Sequence, residues 1–429
     1  MQPINRKIQP AVTNIEKVSL FEPEKVILDN KIPLFIVNSG TQDLIKIEIV
    51  IRAGSWFEQV PLTSRFTFKM LKEGSVNHSG DEIAEAVDFH GAHLNISTGH
   101  DSCSISLYAL NKSLALMLPL LEDIVMNPVF PEEEFNTLRQ NQYQKYLVRK
   151  QKVKHIARNR FNELIYGSVH PYGKSLKDAD FSEIGVDHLR AFHSEMFSPE
   201  RIMIIASGRI PDDLPGSVNK RFGRHSEKNL TGPDKTGFEI IPAAPGKYHA
   251  EKEGAMQSAI RMGRLLFNKR HPDFFRFRVL NTILGGYFGS RLMTSIREEK
   301  GYTYGIGSGV VSKYHSGYFF IASEVGSEVT APATEAIREE MNKLTQEPVG
   351  REELELVRNY LMGSFQRSID GPFAIGEAVK MLAEYGLDNS YYEKYLETVT
   401  HITPEEILQT AQKYIDPSTI TELVAGPSF

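Results

Sequence analysis

The side chains that could bind a metal or attack a substrate form few recognisable motifs in this sequence. The 429-residue chain has one cysteine, Cys103, so it forms neither an intrachain disulfide nor a thiolate zinc cluster. The only closely spaced histidines, His90 and His93, flank Gly91, and we interpret them as surface or turn residues at a helix end. His170, in the segment HPYG, is interpreted as the cap of a turn. No G-x-S-x-G, P-loop or paired-carboxylate signature indicates other catalytic chemistry.

One segment is strongly basic. Residues 139–160 contain eight Lys or Arg and no Asp or Glu. The simpler interpretation is a solvated helix face. The alternative is a positive wall on a cavity that attracts acidic peptides or the acidic face of a partner.

Hydrophobic periodicity places these residues on regular elements. Residues 44–54 and 101–110 alternate apolar and polar side chains, as half-buried strands do. Residues 81–91 predict a helix that ends at Gly91, and residues 113–125 predict a helix with a broad apolar face. Residues 259–267 and 316–325 supply strands in the second half. The pattern favours the α+β class, in which an antiparallel sheet carries helices packed on one face.

An internal repeat indicates two homologous domains. Residues 184–208 align without a gap with residues 402–426, and residues 131–141 align with residues 350–360 at nearly the same offset. Each half would hold about 210 residues, which is within the usual range for a domain. A period this long indicates duplicated domains rather than a solenoid.

The predicted boundaries follow from this repeat and from local composition. We place the first domain at 1–222, a linker rich in Gly, Pro and polar residues at 223–247, and the second domain at 248–429.

Composition describes an ordinary globular protein. The chain is 41% hydrophobic and 24% charged with a net charge of −5, which gives no case for nucleic-acid binding. No window is apolar enough for a spanning helix, and the N-terminal segment does not have the pattern of a secretory signal. We expect a cytoplasmic protein. The alternative is a periplasmic one whose signal has been removed.

Six segments resemble the M16 family of zinc peptidases, which includes insulinase and mitochondrial-processing-peptidase-like proteins. They are IRAGSWFEQVP (51–61), MLKEGS (70–75), GAHLNISTG (91–99), HPYGKSL (170–176), LRAFHSEMFSPERIMIIASG (189–208) and GGYFGSRLMTSIREEKGYTYGIGS (285–308). This resemblance covers essentially the whole chain and implies two domains of the LuxS/MPP-like metallohydrolase type.

The family's metal motif is absent. Active members carry His-x-x-Glu-His on the helix before the MLKEGS-like segment, and here those three positions are Arg65, Phe68 and Lys69. The guanidinium and the protonated amine have no lone pair for zinc, and the phenyl ring accepts no proton. The family's third ligand is a Glu in a long helix that would span about 131–165. The matching stretch includes Gln144 and Lys145 and contains no acid. We therefore predict no catalytic residue and no bound metal in this chain.

A second pair of family residues is present. Arg297 and Tyr304 resemble the Arg and Tyr of the second domain that, in the family, bind the substrate backbone and stabilise the oxyanion. Two structural alternatives stay open: Arg297 caps its helix, or Tyr304 is a half-buried strand residue. Tyr302 is the nearest aromatic competitor and would face the same side of a strand.

The resemblance implies a pseudo-peptidase subunit. It would supply Arg297 and Tyr304 to a zinc-bearing M16 paralogue in a heterodimer that degrades peptides. This chain would have no cofactor of its own and no metallopeptidase activity alone. The alternatives are a non-proteolytic scaffold and a peptide-binding homodimer of the same fold.

Overall fold

Two open β-sheets form the framework of the chain, one in each half. The structure is a computed structural model, and it describes residues 21–225 and 237–428. The first sheet has the strand order β1-β2-β6-β3-β5-β4 and the second has the order β7-β11-β8-β10-β9. All neighbouring strands are antiparallel except the pairs β2/β6 and β7/β11, which are parallel.

The first half contributes six strands and eight helices to the described residues. The strands are β1 (Glu24–Ile27), β2 (Pro33–Asn38), β3 (Leu44–Ile51), β4 (His93–Thr98), β5 (Cys103–Leu110) and β6 (Ile202–Gly208). The helices are α1 (Thr63–Met70), α2 (Gly80–Phe89), α3 (Leu114–Met126), α4 (Glu132–Lys150), α5 (Val153–Tyr166), α6 (Asp180–Glu183), α7 (Val186–Met196) and α8 (Leu214–Phe222).

The second half contributes five strands and six helices to the described residues. The strands are β7 (Gly246–Glu251), β8 (Gln257–Leu266), β9 (Ile306–Ser312), β10 (Gly317–Gly326) and β11 (Thr421–Gly426). The helices are α9 (Phe274–Asn281), α10 (Thr330–Gln346), α11 (Arg351–Ser368), α12 (Pro372–Tyr385), α13 (Ser390–His401) and α14 (Pro404–Tyr414). Two π-helical segments, Thr282–Gly286 and Met293–Glu299, follow α9.

The two sheets confirm the predicted duplication. Removing β1 leaves β2-β6-β3-β5-β4, which matches β7-β11-β8-β10-β9 strand for strand, including the position of the parallel pair. The repeated segments lie on equivalent elements: α7 and β6 in one domain, α14 and β11 in the other. The predicted fold class of two homologous α+β domains is confirmed.

Local sequence explains where several of these elements begin and end. Alternate residues of β3 form its core face, since Ile45, Ile47 and Ile49 are all fully buried in the first core. Helix α2 begins at a capping box, in which Ser79 and Glu82 satisfy each other's backbone N–H groups. It ends before Gly91, whose φ of 60° suits the residue that follows a helix.

One helix from each half packs on the other half's sheet. Helix α5 lies against β8 and β11, and helix α12 lies against β6 and β2. These exchanged helices cover the sheet faces opposite the domain cores. They join the two halves because each sheet depends on the other half for part of its cover.

Two local predictions were wrong. The basic segment is not one helix from 131 to 165, because α4 ends at Lys150 and α5 begins at Val153. Strand β3 is not half-exposed either: Lys46 and Glu48, on its polar face, are buried under α12. The predicted domain boundaries stay predictions. Residues 226–236 of the predicted linker lie outside the described residues, and β7 begins at Gly246.

Candidate functional site

Helix α1 carries the three positions where the zinc motif would lie. Every residue of this helix is buried except Arg65 and Lys69, which are half-buried. These two are four residues apart and therefore lie on one face. Phe68 points into the first core, with its ring centre 5.1 Å from that of Phe197. The position of the catalytic base is thus part of the hydrophobic core.

The positive charges of Arg65 and Lys69 would repel a metal cation at this face of α1. Burial lowers the pKa of Arg65, and the charge of Arg149 lowers it further. Burial also lowers the pKa of Lys69, followed by the charges of Arg65 and Lys145. Each group is thus depressed by its positive neighbours as well as by desolvation. This donor set does not fit zinc, and it would repel any divalent cation.

The segment that would supply a third ligand also lacks one. Gln144 and Lys145 lie on exposed positions of α4, and Lys145 faces α1 closely enough to shift the pKa of Lys69. Within residues 21–225 and 237–428, no cluster of three or more His, Cys, Asp or Glu side chains could hold a metal ion.

A cavity of about 820 Å³ opens beside α1. It is lined by Arg65, by Gln142, Lys145 and Arg149 of α4, and by residues of α5, β4 and the second sheet. Seven of the lining residues are Lys or Arg, and only Glu58 is acidic. The basic segment therefore forms part of a cavity wall that also contains Arg65, as the second interpretation of that segment predicts. Lys69 and Gln144 do not line it.

Glu58 holds the N-terminal end of α1. Its carboxylate accepts hydrogen bonds from the backbone N–H groups of Leu62, at 3.3 Å, and Ser64, at 3.2 Å. Burial raises the pKa of Glu58 to about 7, although these two bonds oppose the shift. Near neutral pH the cavity's one carboxyl is therefore only partly ionised.

Ser55 and His100 form a hydrogen-bonded pair at the cavity wall, with 3.0 Å between Oγ and Nδ1. Desolvation in the cavity lowers the pKa of His100 to about 3, and the charges of Lys313 and Arg65 act in the same direction. An imidazole with such a low pKa is a poor general base at neutral pH. We assign no nucleophilic role to Ser55.

The isolated histidines have structural roles. His90 ends α2 and donates its backbone N–H to Ala86, and His93 is exposed at the start of β4. His170 is buried, and its Nδ1 accepts a hydrogen bond of 3.1 Å from the backbone N–H of Tyr172, which confirms a turn cap.

Arg297 and Tyr304 lie in the second domain and do not line the cavity. Tyr304 is 98% exposed and precedes β9, so the alternative of a half-buried strand residue is wrong. Tyr302 instead packs on the second core. Arg297 belongs to the segment Met293–Glu299, and its guanidinium lies 4.8 Å from the centre of the Phe288 ring. Within the described residues it donates no hydrogen bond to a helix carbonyl.

Several cavity residues were missed by sequence reasoning. Lys174 follows α5 in the segment HPYGKSL, and Lys313 follows β9 in the other half of the chain. Burial lowers the pKa of Lys313 to about 8, and its Nζ lies 4.2 Å from the centre of the Tyr172 ring. No local pattern marks these residues as neighbours, because they converge only in the folded chain.

Two duplicated α+β domains, with a face of α1 that carries Arg65 and Lys69, define a metallopeptidase-like class of protein. Residues 34–176 match the family model described as insulinase (peptidase family M16), and residues 183–361 match the one described as peptidase M16 inactive domain. This chain belongs to the peptidase M16 family.

Relatives and solved structures agree with this assignment. An uncharacterised zinc protease of Bacillus subtilis (strain 168), YmxG, is 25% identical over 80% of this chain and 83% of its own length. An uncharacterised zinc protease of Rickettsia felis is 25% identical over 94% of this chain and 97% of its own length. A crystal structure of a peptidase M16 inactive domain from Pseudomonas fluorescens shares the fold, with a TM-score of 0.87 and 20% identity over 95% of this chain and 98% of that one.

A Helicobacter pylori protease structure also has a TM-score of 0.87, with 17% identity over 95% of this chain and 100% of that chain. Within the described residues, no helix is both long and apolar enough to cross a membrane.

Proposed function

We propose that this chain is the non-catalytic subunit of a two-chain M16-type zinc peptidase. Its role would be to supply Arg297 and Tyr304 to a peptide held at the zinc site of a partner. The observation that carries the proposal is the contrast between the two domains. The metal face of α1 holds Arg65 and Lys69, whereas Tyr304 of the second domain is 98% exposed with no role in the fold.

The half-buried Arg297 and the exposed Tyr304 have the right chemistry for such a role. A guanidinium stays charged at any physiological pH and presents several N–H donors, and a phenol donates one O–H. Both groups can donate to a peptide carbonyl oxygen, and the same bonds strengthen when that oxygen gains negative charge in the transition state. Arg297 is held against Phe288, which is itself 65% exposed. The exposed rings of Phe288 and Tyr304 are suited to contact with another molecule.

Activity measurements on the chain alone and on a mixture test the proposal. The partner to use is a paralogue from the same source with an intact His-x-x-Glu-His motif. We expect no peptidase activity from this chain alone and zinc-dependent activity on mixing. Stoichiometric zinc and chelator-sensitive cleavage by this chain alone would contradict the proposal.

Two substitutions then assign the role of the pair. Arg297→Ala should lower the turnover of the reconstituted complex by roughly 10²-fold, the usual scale for removing one oxyanion donor. Tyr304→Phe removes only the hydroxyl and should also lower turnover. Tyr302→Phe is the matched control, because Tyr302 packs on the second core and should leave turnover unchanged. Unchanged turnover in Arg297→Ala, with normal assembly by sedimentation, would return Arg297 to a structural role.

A second candidate is a non-proteolytic, peptide-binding protein of the same fold. The cation-lined cavity within this chain favours it, because such a site needs no partner's zinc. If mixing this chain with the zinc-bearing paralogue gave no peptidase activity, and this chain formed a stable homodimer, the second candidate would be favoured over the first.

A further inference from the structure

The cavity beside α1 has an unbalanced charge. Among the residues that the structure describes, Arg65, Lys145, Arg149, Arg158 and Lys174 form no ion pair within 4 Å. Of the cavity's cations, Lys150 is paired, with Asp178. Arg160, on the same helix as Arg158 but outside the cavity, is paired with Glu163 at 2.9 Å. The charge is thus left uncompensated on the cavity side.

A solvated helix face does not explain this arrangement. The unpaired cations come from α1, α4, α5 and the loop after α5, and Lys313 comes from the second half of the chain. Residues from separate elements therefore converge on one concave surface. Burial lowers the pKa of Arg65, and the charges of Arg149 and Arg158 lower it further, so the neighbouring cations repel one another there. Positive charge gathered in a cleft concentrates anions there.

The shape favours an extended peptide over a small anion. A volume of about 820 Å³ is within the range of sites that enclose a ligand of several residues. Strand β4 is an edge strand of the first sheet, and its last residue, Thr98, lines the cavity. An edge strand offers unpaired N–H and C=O groups to an extended chain. A peptide paired with β4 would therefore extend into the cavity and contact its Lys and Arg side chains.

We propose that this cavity binds acidic peptide segments, and that Arg65, Lys145, Arg149 and Arg158 meet their carboxylates. The family's metal face has become an anion-binding face, because the two ligand positions on α1 now carry cations. This inference deepens the second candidate function by naming the class of peptide. It does not rest on the heterodimer, since binding requires this chain alone and neither a partner nor zinc.

The test is a binding titration with the full chain and no partner. The probe is a fluorescently labelled decapeptide with four adjacent glutamates, and its match has glutamines at those positions. We expect the glutamate peptide to bind at least about tenfold more tightly at low salt, and the preference to shrink as salt screens the charges. Equal affinity for the two peptides would overturn the proposal.

Two neighbouring arginines give a matched pair of variants. Arg158→Gln should weaken binding of the glutamate peptide by at least about tenfold, the scale of one charge-assisted hydrogen bond. Arg160→Gln lies on the same helix but outside the cavity and should leave affinity unchanged. Both positions are exposed, so neither change threatens the fold. Equal effects from the two variants would mean non-specific attraction and would contradict a built site.

Competition separates the peptide from other anions. Inorganic phosphate at millimolar concentration and a short single-stranded oligonucleotide are added to the bound glutamate peptide. We expect weak competition from phosphate. An oligonucleotide that binds more tightly than the peptide, and loses affinity in Arg158→Gln, would assign the cavity to nucleic acid and overturn the peptide proposal. Failure of the heterodimer experiment would leave all these outcomes unchanged.

Discussion

The two exchanged helices meet equivalent sheet positions with different chemistry. Helix α5 rests on the second sheet through small apolar contacts, in which Val153 and Ala157 cluster with Ala259 and Ala425. Helix α12 rests on the first sheet through Gly376, which lies at the repeat position of Ala157 and faces Ser207, the repeat position of Ala425. One contact is dry and apolar, and the other is close, polar and flanked by charges.

The charges beside Gly376 form a closed network. Lys46 contacts Glu48 at 2.6 Å and Glu377 at 2.5 Å, and Lys380 contacts the same two acids at 2.9 and 2.5 Å. Burial alone would raise the pKa of Glu48, but the hydrogen bond from Lys46 and the charge of Lys380 lower it to about 2. The duplicated fold therefore places α5 and α12 at equivalent positions on their sheets, while the sequence decides which interactions hold each helix there.

The largest expected effect on stability comes from removing one charge from this network. Glu48→Gln should lower the free energy of unfolding by about 3 kcal/mol, because the buried Lys46 and the half-buried Lys380 both lose a charged partner. Chemical denaturation measures the loss. The control is Glu335→Gln, because the exposed Glu335 pairs with the half-buried Arg338, which keeps its contact with Glu422. This change should alter stability by less than about 0.5 kcal/mol. If Glu48→Gln lost no more stability than Glu335→Gln, the charge network would not stabilise the contact of α12 with the first sheet. Packing alone would then hold both α5 and α12 on their sheets.

Acidification should reproduce part of this loss without a substitution. The pKa of Glu48 is lowered from 4.5 to about 2 in the folded chain, so its contribution is complete above pH 4.5 and disappears as the pH falls towards 2. The wild-type chain should therefore lose more stability over this interval than Glu48→Gln does. If the stability of both proteins fell equally with pH, protonation of Glu48 would not be the cause of the loss.

The smallest effect concerns the close approach of α12. A Cβ at Gly376 would lie 2.9 Å from Ser207 Oγ, which is too close. Gly376→Ala should therefore lower stability by a net ~1 kcal/mol, because the cost of overpacking exceeds the gain in helix propensity. Adding Ser207→Ala, which makes this contact resemble the α5 crossing, should restore stability. Gly363→Ala on α11 is the control, since the nearest atom to its Cβ is Arg367 Nη1 at 3.9 Å and the change should stabilise. Stabilisation by Gly376→Ala alone would contradict the packing argument.

Much of the fold could be predicted from the sequence because its signals are local or repeated. The alternation of β3 and the caps of α2 act within a few residues, and the repeat exposes the duplication directly. The prediction failed where a distant element intervened. Lys46 and Glu48 looked solvent-facing, and only α12, more than 300 residues away, buries them.

The candidate site divides in the same way. The sequence by itself determined that Arg65, Phe68 and Lys69 cannot coordinate zinc, because none of the three side chains offers a lone pair to a metal. It also determined the duplication and the class of fold. Only the tertiary structure decided that Phe68 is core, that Tyr304 is exposed, and that cations from both halves line one cavity. The physical reason is that residue type fixes what a side chain can do, whereas contacts between distant segments fix which side chains act together.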